Sequence, residues 1–195
     1  MAANPKIGDI DVLGPTTEKY TRITTTKFVV HDSMSHLIGS LDNLCASLRQ
    51  RGEDGFTWIR QEFPDEEKFK CALRKLVYPY DYIDGFSRFE EKIPDRSKFY
   101  NKLNESDLSE AEYDRLLETC KVFEIQTLGD LHDLYLKIDV LILCCVFEDY
   151  RRLGMEMFRL DPAYYIRYVP QMRKQVIISK FIQFSVTEIE FTRLN

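Results

Sequence analysis

The stretch DLHDLYLKIDVLILCCVF (Asp130–Phe147) sets one carboxylate, Asp139, inside an otherwise apolar run, with Tyr135 four residues before it. Thr127 with Asp130 forms a capping signature ahead of the run, which predicts a helix continuing to about Arg152. On such a helix Tyr135 and Asp139 stand one turn apart on the same face, with about 6 Å between their Cβ atoms. Residues 138–147 are apolar almost all round the helix apart from Asp139, which predicts an enclosed turn. A charge there is penalised by several kcal/mol unless it is paired or metal-bound. The partner is either protein or cation. Lys137, an arginine or a helix N-terminus would supply the first, or Asp139 would lie at the rim of the core. A magnesium ion taking oxygen ligands would supply the second, with the phenol one turn away holding an attacking water for phosphodiester hydrolysis. The spacing leaves both readings open.

Outward from this run, Ser109 with Glu112 makes a capping box ahead of a helix in which Tyr113, Leu116, Leu117 and Cys120 form one stripe. Ser40 is placed to cap another helix, with Leu41, Leu44, Cys45 and Leu48 at i, i+3, i+4, i+7 and Gly52 just past its end. Residues 20–31, YTRITTTKFVVH, favour one or two strands, and Gly14-Pro15 marks a turn upstream. The proline-bearing, acid and aromatic segment from Glu53 to about Asn104 reads as loops and short helices. Gly154 and Asp161-Pro162 punctuate the end of the long helix, and KQVIISKFIQFSVTEIEF (Lys174–Phe191) is more strand-like than helical.

At 195 residues, 44% hydrophobic and 30% charged, the chain fits one globular domain with a sizeable core rather than a disordered or fibrous chain. Its 27 basic residues against 32 acidic ones give a net charge of −5, which opposes bulk attraction to a polyanion, so any nucleic-acid contact has to be local. No window reaches the roughly 18 apolar residues of a membrane span, and the N-terminus MAANPKIGDIDV lacks the basic and apolar parts of a signal peptide. The expectation is an intracellular protein with no membrane partner. Five scattered cysteines without a C-x-x-C pair or a nearby histidine predict buried, reduced thiols. His31, His36 and His132 are too dispersed to read as ligands.

Several blocks in order resemble the protein-primed, organellar and viral branch of family B DNA polymerases, including those of Polinton or Maverick type transposons. FVVHDSMSHLIGSLDNL (Phe28–Leu44) resembles the family's strand-then-helix segment with its D-S and S-L-D-x-L. LRKLVYPYDYIDGFSRFEE (Leu73–Glu91) resembles its R-K-G-V-Y-P-Y-x-Y-x-D block, with Leu76 where glycine is usual. FYNKLN (Phe99–Asn104), TLGDLHDLYLKIDVLIL (Thr127–Leu143) and LDPAYY (Leu160–Tyr165) complete the series. The resemblance spans residues 7–165 and leaves 166–195 as a divergent tail. It implies an α/β fold, the later part of a ribonuclease-H-like 3′-5′ exonuclease domain, incomplete, helix-rich and with a small sheet.

In that family the Y-x-x-x-D helix is the third exonuclease motif. The resemblance therefore implies that Asp139 is a ligand of the catalytic metals and that Tyr135 orients the nucleophilic water. It implies that Lys75 contacts the scissile phosphate, and that Ser33 and Met34, with Leu37, grip a single-stranded 3′ DNA end. The alternatives are a strand-end turn or cap for Ser33 and a solvated charge for Lys75, while the tyrosines of YPYDY are read either as stacking on bases or as core and loop packing. Deoxynucleotides and a terminal protein are further partners of the parent family, and the expected location is the nucleus or the site of element replication.

Two-metal hydrolysis needs several carboxylates. The family's first motif, D-x-E, and its second lie upstream of the matched segment. GDIDV (Gly8–Val12) matches a later hairpin by position, and its second acid is Asp rather than Glu. The polymerase motifs are also missing from the sequence. Magnesium or manganese is thus expected as cofactor only if the missing carboxylates are supplied, and a truncated or frame-shifted transposon gene copy, inactive as an isolated chain, is the simplest account. The alternative is a non-catalytic remnant that binds DNA or a protein partner.

Overall fold

Residues with non-helical capping signals and those with helical periodicity separate along this chain much as local chemistry dictates. The structure, a computed structural model, describes residues 9–14, 16, 20–37, 39–103 and 105–164. It is helix-rich with one small antiparallel sheet. The strand expectation for Lys174–Phe191 lies outside the described residues. The chain divides into two compact units, Gly39–Asp149 and a second formed by Met1–Ile38 with Tyr150–Asn195.

In Gly39–Asp149 most helices start where polar caps stand, the short helix after Phe56 being without a side-chain cap. Helix α1 (Leu41–Gln50) begins at Ser40, whose hydroxyl accepts the Asn43 N–H at 3.3 Å. It stops before Gly52, which takes a positive φ of 120° that a side chain would resist. Two short helices follow, α2 (Thr57–Glu62) and α3 (Glu66–Ala72), the latter capped by Asp65 through the Glu67 and Lys68 N–H groups. Helix α4 (Glu110–Val122) opens with the full Ser109–Glu112 capping box. Helix α5 (Leu128–Phe158) opens with Thr127 Oγ1 accepting from Asp130 N at 3.2 Å, while Asp130 Oδ2 accepts from Thr127 N at 2.9 Å.

Leu131, Leu134, Ile138, Ile142 and Cys145 recur on one face of α5 and are buried with Cys45 and Leu48 of α1, Ile59 of α2, Phe69 of α3 and Leu116 and Cys120 of α4. The opposite face is not enclosed. Leu136, Val140 and Cys144 are exposed, which corrects both the expectation of an all-round buried turn and that of uniformly buried thiols. An apolar composition does not bury a residue when no neighbouring element covers that side of the helix.

Within the other unit, β1 (Asp11–Leu13), β2 (Arg22–Thr24) and β3 (Val29–His31) pair antiparallel in sequence order, with Val12 opposite Ile23 and Ile23 opposite Val30. The described acids of GDIDV, Asp9 and Asp11, are exposed at and before this hairpin edge. The C-terminal part of α5 runs past Arg152 to Phe158, so Gly154 lies inside the helix instead of ending it. The reason is close packing. A Cβ on Gly154 would stand 2.5 Å from Cγ and 2.7 Å from Cδ of the buried Pro162. Arg151 then clamps the returning chain through Asp161, Nη2 to Oδ2 at 2.6 Å. Gly154→Ala is expected to destabilise this unit by about 1–3 kcal/mol despite the better helix propensity of alanine, because the clash outweighs the gain of about 1 kcal/mol. Thermal unfolding of the variant checks it, and an unchanged or raised midpoint would refute the packing argument.

Candidate functional site

The segment after α3 brings the second matched block to the quoted run. Leu73, Leu76 and Pro79 are buried, and Lys75 and Tyr78 between them, with Tyr80 just after, project from a backbone without regular secondary structure. Lys75 Nζ stands 4.0 Å from Asp139 Oδ2, with the two side chains 32% and 22% exposed. Asp139 thus lies at the rim of the core with a lysine partner. That partner is not Lys137, which reaches away to Glu62 Oε1 at 2.8 Å. The other carboxylate oxygen, Oδ1, is buried and accepts no hydrogen bond.

Tyr135 is held from the opposite side. Its ring stacks on Tyr78, with centroids 4.6 Å apart, and its phenol shares a hydrogen bond with the Tyr80 phenol. Tyr78 in turn meets His132 Nδ1 at 2.5 Å, and Phe89 packs against the His132 ring at 4.7 Å. The 86–90 turn that carries Phe89 is tied to the start of α5 by Leu128 N donating to Glu91 O at 2.8 Å. Burial pushes the Tyr135 phenol well above its ordinary value, and the adjoining Tyr80 phenol and Asp139 carboxylate push it further. Tyr135 is therefore a neutral hydrogen-bonding phenol throughout the physiological range. Tyr78 is raised in the same direction by burial.

Three of the residues singled out from the sequence, Lys75, Tyr135 and Asp139, come together here. Ser33 and Met34 belong to the other unit, where they open a single 3-10 turn, Ser33–Ser35. The cap of that turn is Asp32, which accepts from Met34 N at 3.0 Å, and Met34 is 81% exposed. Sequence reasoning did not foresee that Tyr78 and Tyr80 meet Tyr135 and His132. The alternation in YPY, which puts Tyr78 and Tyr80 on either side of a buried proline, is the only local signal for two of them. A cleft of about 580 Å³ opens beside the cluster and is lined by Lys75, Tyr78, Tyr80 and Tyr100 among others.

A hard divalent ion takes oxygen donors. Asp139 Oδ1, buried and without a hydrogen-bond donor, suits one such ligand position. It does not make a coordination sphere, because among the described residues no group of three or more His, Cys, Asp or Glu side chains is placed to hold a metal ion. Among those residues, no helix is long and apolar enough to cross a membrane. Gly39–Asp149 is thus a helix-rich unit carrying a lysine, tyrosine and aspartate cluster beside an open cleft. The chain matches no family model, no curated protein and no solved structure.

Proposed function

We propose that the chain is the later part of a ribonuclease-H-like 3′-5′ exonuclease domain from a protein-primed family B DNA polymerase, whose ancestral reaction is metal-dependent removal of nucleotides from single-stranded 3′ DNA ends. The observation that supports this reading is the meeting of Lys75 with Asp139 and Tyr135, residues of two separate sequence blocks to which the resemblance assigns one reaction. In that reaction Asp139 would offer one carboxylate oxygen to a magnesium or manganese ion, whose charge would stabilise the scissile phosphate and favour deprotonation of a water. Tyr135, protonated and fixed by Tyr80 and Tyr78, orients that water by hydrogen bonding. Lys75, on the cleft side, neutralises charge on a phosphate oxygen. The remaining acidic ligands have to come from outside the described residues.

The test is release of label from 3′-labelled single-stranded DNA with magnesium or manganese. Metal-dependent release that Asp139→Ala lowers by at least about a hundredfold is the expected result for a working site. Equal release by the two proteins removes Asp139 from the reaction. A second reading is favoured by the solitary carboxylate: a non-catalytic remnant that binds DNA or a protein partner. Absence of release by either protein, with DNA binding that is weak and falls steeply with salt, is the outcome that reading expects of an acidic chain.

A further inference from the structure

Antiparallel register sets an arginine against a histidine in the small sheet: Arg22 of β2 stands directly opposite His31 of β3. Asp32 N donates to Thr21 O at 3.0 Å and Thr25 N to Phe28 O at 2.9 Å, and hydrogen-bonded pairs alternate along an antiparallel ladder. Arg22 and His31 therefore form a non-hydrogen-bonded pair, the kind whose side chains stand closest on one face. His31 also meets a second imidazole, His36, edge-on with 5.9 Å between ring centroids. We infer that Arg22, His31 and His36 make the small sheet an acid-sensitive latch, in which protonation of His31 opens the β2–β3 pair and releases the Ser33–Ser35 turn that follows it.

Electrostatics sets the direction. An imidazolium at His31 faces the Arg22 guanidinium across the strands, and like charges directly opposite are destabilising. Nδ1 of His31 is buried without a hydrogen-bond partner among the described residues, so the N–H that an imidazolium carries there has no acceptor. The other titratable groups around the pair, among the described residues, are Asp11, Asp32, His36 and Tyr150. Asp11 is exposed and sits opposite Thr24, one step diagonal to Arg22. The Asp32 carboxylate accepts from Met34 N at 3.0 Å. The Tyr150 ring of α5 lies 6.2 Å from that of His36, which is 1% exposed. Burial and then Arg22 hold His31 below its ordinary value, while burial and then His31 do the same for His36, an effect that Asp32 offsets only in part. Stability from the neutral pair is thus present above the unfolded value of about 6.5 and is lost as pH falls through the folded values.

The sheet has little to set against that loss. Its strands are three residues each, and Val29 and Val30 of β3 are 43% and 50% exposed. The turn is joined to β3 through Asp32, its N-terminal cap, and the His36 N–H closes it on Ser33 O at 3.0 Å. A departing β3 takes that anchor with it. The latch stands independently of the proposed reaction.

The experiment follows the full chain by NMR from about pH 7.5 to about pH 5, the range in which histidine changes charge. It reads the His31 imidazole titration and the cross-strand Hα–Hα contact of Thr24 with Val29, a pair that does not itself titrate. The wild-type contact is expected to disappear on acidification while the Ile138 and Ile142 amides stay unchanged. His31→Gln is expected to keep the contact down to about pH 5. Arg22→Gln is expected to raise the His31 proton affinity about twofold to fivefold and to move the opening to lower pH. A wild-type contact that survives at the acid end, an opening unaltered by His31→Gln, or simultaneous loss of the Ile138 and Ile142 signals overturns the proposal. If His31→Gln does not form the sheet at neutral pH, Arg22→Gln decides, and an unmoved His31 midpoint overturns the latch.

Discussion

Ile138→Ala is expected to destabilise the chain by about 2–5 kcal/mol, lowering the thermal midpoint by about 5–15 °C. Ile138 is 0% exposed and lies at the centre of the α5 stripe formed with Leu131, Leu134, Ile142 and Cys145. Removing its three distal carbons loses their transfer free energy and leaves a cavity, since a close-packed core relaxes only partially into the space. The sharp control is two residues along the same helix. Val140 is 59% exposed, so Val140→Ala is expected to change stability by no more than about 0.5 kcal/mol. Calorimetry or denaturant unfolding of the two variants checks both values. Equal losses would mean that α5 is covered on both faces, contrary to the structure.

Alkaline titration is expected to unfold the wild-type chain at lower pH than it unfolds Tyr135→Phe, once the two are compared by slope rather than by their offset at neutral pH. The sign follows from linkage. The folded Tyr135 phenol is raised by burial, by the Tyr80 phenol and by the Asp139 carboxylate, so the folded state binds that proton more tightly than the unfolded one. Its contribution is fully present below the unfolded value of about 10 and is lost as pH rises from there towards the folded value. The thiols of Cys45 and Cys120, pushed up by burial to about 11, add losses of the same sign. They are present in both proteins, so the difference in slope isolates Tyr135. Identical slopes between about pH 9 and 11 would show that the phenol is solvated and that the Tyr78, Tyr80 and Tyr135 cluster does not enclose it.

The same cluster shows why the candidate site was only half legible beforehand. Tyr135 and Asp139 share a helix, and their one-turn separation is a property of helical geometry that spacing alone conveys. Lys75 entered through the resemblance of its block, with nothing in the block to say which acid it would face. Tyr80 pairs with Tyr135 across 55 residues of chain, and Tyr78 meets His132 across 54. Contacts at such separations depend on where the segment after α3 meets α5, which no local pattern encodes. His132, read only as too dispersed to be a ligand, buttresses the ring stack through Tyr78.

The sequence by itself determined the starts of α1, α4 and α5, because a cap needs only Ser40, Ser109 or Thr127 and the N–H groups two or three residues on. The buried stripe of α5 was not legible in the same way, because the run reads as apolar almost all round and only the tertiary structure selected Leu131, Ile138, Ile142 and Cys145 for burial. Tertiary structure alone decided the rest. It chose Lys75 rather than Lys137 as the partner of Asp139, left Leu136 and Val140 uncovered, and carried α5 through Gly154 because Pro162 needed the space of the absent Cβ. The physical reason is the same in each case: capping and periodicity act within a few residues, whereas burial and charge pairing depend on which distant surface arrives alongside.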